Sequence, residues 1–308
     1  MDFFLMTEPQ LGGTYQDLAR AARGAEAAGL AGFARSDHYY WTGPEPLAAT
    51  DAFTSVGGLA LETTHAQLAV LVSPITFRHP AVIQKSAATL DEMSGGRFSL
   101  GLGTGWMEKE HEVFGLPFPP RKERFARLEE SLQYMRASIE GKSFEGRYYR
   151  FSAQALPHPQ SLRLIVGGSG PEKTPALAGR YADEYNQFAL SPAELAPKVE
   201  RMRTAAEAAG RDPDQLVVSL MGPAVLAQTE QAFASLMKTA ADVRKISVNE
   251  LTQRWQRNGI PMGTPDRIRD AFAALEEVGV SRYYVQWLDL TDHGGLDESL
   301  AAVQLLSA

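Results

Sequence analysis

The 308-residue sequence contains no cysteine, which excludes disulfides, thiolate metal sites and cysteine nucleophiles. No apolar run approaches the roughly 20 residues that a membrane-spanning helix needs, so we expect no membrane partner. An excess of basic residues is also missing. The 30 Lys and Arg residues face 37 Asp and Glu residues, and the resulting charge of −7 argues against a nucleic-acid partner. The first residues carry an early acid and no basic segment, which indicates a first strand rather than a signal peptide. The absence of cysteine fits a cytoplasmic protein.

Strand-like and helical patterns alternate along the whole chain. Parallel strands need long crossovers, which helices usually supply, so this alternation predicts an α/β fold with a parallel sheet. Eight repeats predict a closed (β/α)₈ TIM barrel, with a doubly wound open sheet as the runner-up. Because no linker rich in Gly, Ser or Pro interrupts the pattern, we expect one domain over residues 1–308. The strand-like segments lie near 3–6, 31–35, 67–73, 97–103, 162–167, 184–189, 216–221 and 282–287.

Two helices have clear end signals. Thr14 and Gly29 frame a helical pattern over 14–28, while Thr264 and Gly279 frame another over 264–278. Three segments exceed ordinary connections, and such segments are more often functional than short loops. We therefore predict insertions near 104–120, near 141–161, where a small hairpin is indicated, and near 229–258, which is polar and mostly helical.

The first candidate site follows the second strand, at the end of a barrel where active sites lie. It consists of Asp37, His38, Tyr39, Tyr40 and Trp41. A histidine titrates near neutrality and can give or take a proton beside a planar cofactor. The alternative is a loop whose aromatic residues simply pack. The Asp–His pair would also suit a metal-dependent barrel hydrolase, but no clear ligand set is formed by the other histidines: His65, His79, His111, His158 and His293.

Two glycine-rich segments are further candidates. In 97–103 the large residues occupy one face, expected to pack on helices, and Ser99, Gly101 and Gly103 occupy the other, expected to point into the barrel. The segment is not a dinucleotide-binding fingerprint, since the next clear helix begins near 121. In 166–174 a strand ends in a glycine turn and a helix begins near Pro171. Exposed amides and a helix N-terminus favour a phosphate site there, with Lys173 and Arg180 as candidate helpers; a tight strand–helix turn is the alternative.

The residues 78–97, continuing through 101–106 to Glu110 and 114–115, resemble the luciferase-like oxidoreductases. The glycine turn with 178–183, and the segment 263–265 with its helix, are similar to later parts of the same family, whereas 191–258 match it poorly. The resemblance implies a TIM barrel with insertions that binds either FMN or the deazaflavin coenzyme F420. Ser36-Asp37-His38, with Trp41 close behind, is similar to the deazaflavin branch.

The resemblance also implies roles for individual residues. His38 would exchange a proton or stabilise negative charge, and Asp37 would orient or contact the cofactor. A non-prolyl cis peptide is implied between Leu71 and Val72, behind the ring. The implied cofactor contacts are Asp37, Trp41, Leu71, Val72, Ser73, Gly103, Thr104, Gly105, Gly167, Gly168, Ser169 and Gly170, and the implied substrate pocket comprises Tyr39, Tyr40 and Trp106. Certain sugar-phosphate dehydrogenases of this branch carry an acid where Trp106 stands. We therefore do not expect this chain to share their substrate.

Function is accordingly expected to be hydride transfer between coenzyme F420 and a small organic substrate, with no metal. Three alternatives stay open. They are an FMN-dependent monooxygenase supplied by a separate reductase, a non-catalytic flavin-binding relative, and the metal-dependent hydrolase. Because family members are often dimers, the resemblance also implies a homodimer.

Overall fold

A computed structural model describes residues 1–43 and 47–307, except for the side chains of Val243 and Ser307. Eight parallel strands form a closed barrel in which each strand pairs with the next along the chain and the last pairs with the first. This confirms the predicted TIM-barrel class, and every predicted strand occurs. The strands are β1 (Asp2–Thr7), β2 (Gly32–Arg35), β3 (Gln67–Pro74), β4 (Phe98–Gly103), β5 (Arg163–Gly167), β6 (Glu184–Phe188), β7 (Val217–Pro223) and β8 (Val280–Trp287).

Helices cover the outside of the barrel and fill the longer connections. They are α1 (Tyr15–Ala27), α2 (Ala52–Glu62), α3 (Pro80–Met93), α4 (Glu108–Phe114), α5 (Arg121–Ile139), α6 (Lys173–Tyr181), α7 (Pro192–Ala208), α8 (Glu230–Arg244), α9 (Val248–Arg257), α10 (Pro265–Glu277) and α11 (His293–Ser307). Within the two stretches that the structure describes, no helix is long and apolar enough to cross a bilayer.

The long segments have their own structure. The predicted hairpin forms from Phe144–Glu145 and Arg150–Phe151, which pair antiparallel. The segment 229–258 is helical as predicted, since it holds α8 and α9. The segment 104–120 was predicted as an insertion, with the next clear helix beginning near 121, but it contains α4. The sequence pattern missed this helix because seven residues are too few to show a periodic apolar face.

The helix ends largely follow the sequence signals. Thr14 caps α1 through a reciprocal pair in which its hydroxyl accepts from the amide of Asp17 and the Asp17 carboxylate accepts from the amide of Thr14. Gly29 then adopts a φ of +76°. Thr264 precedes α10 as predicted, yet its side chain does not cap the helix; its hydroxyl lies 3.5 Å from Glu230 Oε1 instead.

The barrel strands divide their side chains between two cores. On β1, Phe3 and Leu5 pack outward among the helices, while Phe4 and Met6 pack in the barrel interior. This alternation is the period of two that a strand imposes. Strand β4 follows it as predicted, because its large residues join the outer core. Its small face is therefore directed into the barrel.

Buried polar residues close the N-terminal end of the barrel. Arg282 Nη1 donates to Glu184 Oε2 at 2.5 Å, and the Tyr284 hydroxyl donates to Glu184 Oε1 at 2.8 Å. The Arg282 guanidinium also lies over the Phe4 ring, 4.3 Å from its centroid. Charged groups and rings therefore fill the barrel interior at this end, whereas barrel active sites lie at the opposite end, where the strands terminate.

Candidate active site

A cavity of about 700 Å³ opens at the C-terminal ends of the strands. This volume lies within the range of roughly 300–1,000 Å³ that small-molecule sites occupy. Twelve of the predicted site residues line it: His38, Trp41, Leu71, Val72, Gly103, Thr104, Gly105, Trp106, Gly167, Gly168, Ser169 and Gly170. The structure thus brings the loop after β2, the ends of β3 and β4, and the turn after β5 around one space.

Four predicted residues do not line this cavity, namely Asp37, Ser73, Tyr39 and Tyr40. Asp37 is fully buried and Ser73 donates its hydroxyl to Asp37 Oδ2 at 2.7 Å. Tyr39 stacks on Phe77 with ring centroids 4.7 Å apart. Asp37, Ser73 and Tyr39 therefore lie behind the wall of the cavity.

The Asp37 carboxylate belongs to an ion network. Arg78 donates to both of its oxygens and to Asp51 Oδ2, the last at 2.6 Å. Burial disfavours the charge on Arg78, but Asp37, Tyr39 and Asp51 together raise its pKa above the ordinary value. The network ties the loop after β2 to the start of α3 and to the cap of α2.

His38 is held by Glu110, a residue of α4 that lies fully buried. His38 Nδ1 and Glu110 Oε2 are 3.0 Å apart. Burial lowers the pKa of the His38 imidazole, but the hydrogen bond and the charge of Glu110 outweigh this effect, so the pKa lies above the ordinary value of 6.5. The contact engages Nδ1 and leaves Nε2 as the ring nitrogen for a ligand in the cavity.

The same carboxylate fixes the backbone beside His38. Glu110 Oε1 accepts the amides of Tyr39 and Tyr40, the second at 3.0 Å. Sequence reasoning did not assign Glu110 to the site, although it lay within the family-like stretch. The available signal was an acidic residue on the first long insertion, which follows β4. Its partner His38, however, is 72 residues away along the chain.

Two tryptophans border the mouth. The Trp106 ring meets His38 edge to face with centroids 5.8 Å apart, and 67 % of the residue is exposed. Trp41 lines the same cavity. The predicted aromatic surround of His38 is thus formed by Trp106 and Trp41 rather than by the two tyrosines.

The end of β3 bulges into the barrel. Val70 pairs with Leu100 and Ser73 with Leu102, so Leu71 and Val72 together face one residue of β4. The peptide bond between Leu71 and Val72 is cis, as the family resemblance implies. The bulge turns the Val72 side chain towards the neighbouring strands.

The glycine turn after β5 meets two arginines that sequence reasoning missed. Gly168 has a φ of +147°, a conformation that favours glycine, and α6 begins five residues later at Lys173 rather than near Pro171. Arg121 and Arg124, from the start of α5, line the same end of the cavity. A Cβ built on Gly170 would lie 4.0 Å from Arg121 Nη2, which places that guanidinium beside the turn.

The arginine set fits an anionic group. Arg124 Nη1 donates to the Pro119 carbonyl at 2.7 Å, whereas its Nε is buried without a hydrogen-bond partner within residues 1–43 and 47–307. Burial, followed by the charge of Arg121, lowers the pKa of Arg124. A phosphate here would relieve that repulsion. Of the two predicted helpers, Arg180 pairs with Glu129 at 2.7 Å and Lys173 lies over the Phe125 ring.

Residues 1–282 match the family model described as luciferase-like monooxygenase. The chain belongs to this family. Across the part of the chain that the structure describes, no cluster of three or more His, Cys, Asp or Glu residues could hold a metal ion.

Curated and solved relatives of this luciferase-like chain differ in chemistry. Pyrimidine monooxygenase RutA of Cronobacter sakazakii is 30 % identical over 220 residues, which are 68 % of this chain and 64 % of that protein. The chain therefore spans less than two thirds of that relative. An F420-dependent secondary alcohol dehydrogenase superposes with a TM-score of 0.79 at 17 % identity, covering 99 % of this chain and 98 % of the other. The oxygenating constituent of 3,6-diketocamphane monooxygenase from Pseudomonas putida, in complex with FMN, gives 0.77 at 18 % identity, with 99 % and 97 % covered.

Proposed function

We propose that this chain is an oxidoreductase that transfers a hydride between coenzyme F420 and a small organic substrate. One observation carries the proposal: a single cavity joins His38 to the glycine turn 167–170. The loop after β2, the bulge of β3, the end of β4 and the turn after β5 are neighbours in the barrel. They provide a continuous surface long enough for a flat ring at one end and a phosphate at the other.

The residues present fit such a cofactor. The turn 167–170 with Arg121 and Arg124 would hold the phosphate, because backbone amides and guanidinium groups are the usual donors to that group. Leu71 and Val72 would support the ring, and Gly103 lines the cavity beside it. The deazaflavin ring supplies the hydride acceptor or donor, and the protein supplies position and charge.

His38 would exchange the proton that accompanies the hydride. When a C–H bond next to an O–H or N–H group is oxidised, a hydride leaves the carbon and a proton leaves the heteroatom. Nε2 of His38 would take that proton, or return it in the reverse reaction. Glu110 stabilises the resulting imidazolium, since it raises the pKa of His38. In this proposal Asp37 is a positioning residue, since Arg78 and Ser73 already surround its carboxylate.

A second candidate is an FMN-dependent monooxygenase supplied with reduced flavin by a separate reductase. The similarity to pyrimidine monooxygenase RutA favours it. The same cavity and the same turn would serve FMN, because both cofactors join a tricyclic ring to a phosphate.

We also propose a homodimer, a single domain over 1–308 and a cytoplasmic location. Light scattering of the purified protein would test for the homodimer.

Titration of the purified protein with F420 and, separately, with FMN tests the proposal. We expect F420 fluorescence to change on binding and its dissociation constant to be at least about tenfold lower than that of FMN. Tighter binding of FMN would move the assignment to the monooxygenase. Failure to bind either cofactor would overturn both candidates.

Replacement of His38 then separates an enzyme from a binding protein. With F420 bound, we expect His38→Ala to reduce turnover of a responsive substrate by about 10²-fold or more while cofactor affinity changes little. Unchanged turnover would remove His38 from the mechanism.

A further inference from the structure

The part of the cavity opposite the glycine turn, at the ends of β1 and β8, contains a carboxylate that the proposed cofactor does not contact. Glu8 directly follows β1, and Gln286 lies near the end of β8, which pairs with β1. Both residues line the cavity that contains His38. With the ring against β3 and the phosphate after β5, this sector is the part of the cavity left for the substrate.

Two amides hold the Glu8 carboxylate in place. Gln10 Nε2 donates to Oε2 at 2.6 Å, and Gln286 Nε2 donates to Oε1 at 3.0 Å. The Ser36 hydroxyl donates to Gln10 Oε1 at 2.9 Å, which sets the orientation of that amide. The carboxylate is thus anchored from both sides by neutral groups.

Glu8 retains acceptor capacity, and its charge acts on His38 and Arg35 only at longer range, where it favours their protonated forms. A carboxylate offers roughly four acceptor positions, and the two amides occupy two of them. No Lys, Arg or His side chain among the described residues forms an ion pair with Glu8. By contrast, Glu110, the other carboxylate of the mouth, is committed to His38 and to two backbone amides. A group in the cavity is therefore the natural partner of the free Glu8 positions.

The cavity has opposite charges at its two ends. Arg121 and Arg124 lie at the end with the glycine turn, while Glu8 lies in the sector of β8 and β1. An anionic substrate would meet repulsion from Glu8, and a donor or a cation would meet attraction.

We propose that Glu8 is a specificity-determining residue that selects substrates presenting a hydrogen-bond-donating nitrogen, above all a cationic one, and rejects carboxylates. The proposal rests on the proposed function, since it takes this cavity as the substrate site. Gln10 and Gln286 act as positioning residues for the Glu8 carboxylate. A nitrogen held there lies in the cavity that His38 also lines, so the selected group and the proton-exchanging group act on the same small molecule.

Three planar probes of similar shape test the charge preference: benzamidinium, benzamide and benzoate. Because Trp41 and Trp106 line the cavity, their fluorescence reports binding with or without cofactor. We expect the wild-type protein to bind benzamidinium about tenfold more tightly than benzoate, with benzamide between them. In Glu8→Gln the ratio should fall to within about twofold, because the charge is gone while the shape remains.

Glu112→Gln is the matched control, because Glu112 is an exposed carboxylate of α4 outside the cavity. It removes one negative charge from the same end of the protein and should keep the tenfold ratio of the wild type. If Glu8→Gln fails to fold, Gln286→Lys replaces it as the test. This substitution places an ammonium group beside the Glu8 carboxylate and should also lower the ratio to within about twofold, because the charge of Glu8 is then paired.

An unchanged ratio in Glu8→Gln, or a wild-type preference for benzoate, would overturn the proposal. So would a loss of F420 or FMN affinity in Glu8→Gln, since Glu8 would then belong to the cofactor site. If neither cofactor binds the wild-type protein, the proposed function fails on its own, and the probe ratios in the cofactor-free protein still decide the role of Glu8.

Discussion

His38 Nδ1 and Glu110 Oε2 lie 3.0 Å apart although 72 residues separate them along the chain. The pair joins the loop after β2 to α4, the helix of the first long insertion. Glu110 also accepts two amides next to His38, so one buried carboxylate sets both the position of the imidazole and its proton affinity. The insertion therefore contributes a residue to the candidate active site and is not only a cover over it.

Glu110→Gln should separate these two effects. Glutamine can still accept hydrogen bonds, but it lacks the charge that raises the pKa of His38. We expect the pKa of His38 to fall, so that His38 loses its proton at a lower pH than in the wild type. A step that needs protonated His38 should then decline earlier as the pH rises. NMR titration of the imidazole measures this shift directly.

Glu112→Gln again serves as the control for net charge, and its His38 titration should match the wild type. An unshifted His38 pKa in Glu110→Gln would show that the contact with Glu110 does not determine the proton affinity of the imidazole.

Sequence patterns predicted the eight strands because each carries a continuous or alternating apolar pattern between clear turn signals. Sequence patterns were less successful in predicting which side chains of the loop after β2 face the cavity. Ser36 and His38 line the cavity, whereas Asp37 and Tyr39 point to Arg78 on the other side, as alternation along an extended chain requires. The alternation ends there, since Trp41 lines the cavity and Tyr40 does not. The partnership with Glu110 could not be predicted from the sequence, since no local pattern reports contacts across such a sequence distance.

Val72 gives a physical reason for the glycines of β4 and β5. A Cβ on Gly103 would lie 2.8 Å from Val72 Cγ2, and one on Gly167 would lie 2.8 Å from Val72 Cγ1. The small face of β4 points into the barrel as predicted, and part of the space beside it holds the Val72 side chain. The glycines permit the bulge of β3, and the bulge in turn shapes the cavity wall.

Gly103→Ala tests this packing. We expect it to lower the free energy of unfolding by about 1–3 kcal/mol, because the new methyl group overlaps with a β-branched side chain that cannot move far. Combined with Val72→Ala, the loss should be smaller than the sum of the single losses by about 1 kcal/mol. Denaturant unfolding followed by circular dichroism measures all four proteins of the cycle.

Gly294→Ala is a suitable control, since no atom lies within 4 Å of the added methyl group. Its free energy of unfolding should equal that of the wild type or exceed it by up to about 1 kcal/mol, because alanine is favoured over glycine within α11. Strict additivity of Gly103→Ala and Val72→Ala would speak against contact between the two positions.

Arg78 should be more important for stability than its exposed partner Asp51. Arg78→Met leaves the buried Asp37 carboxylate without its cation, and we expect a loss of about 3–5 kcal/mol in the free energy of unfolding. Asp51→Asn should cost about 1 kcal/mol or less, because Asp51 is 39 % exposed and asparagine also caps α2. Thermal and denaturant unfolding provide the comparison, and equal losses would contradict the assigned network.

Arg121 and Arg124 should contribute to binding through the phosphate and not through the ring. The relevant quantity is the phosphate contribution to affinity: the ratio of dissociation constants for riboflavin and FMN, or for the deazaflavin without and with its phosphate. Arg124→Ala should reduce this ratio by about tenfold, and the double variant with Arg121→Ala by more, because hydrogen bonds between charged groups are strong. Affinity for the phosphate-free forms should hardly change.

Arg180→Ala is the control, since its guanidinium pairs with Glu129 away from the cavity. If the double variant kept the wild-type ratio, the phosphate of the cofactor would have to bind elsewhere. The proposed orientation of the ring would then be wrong as well.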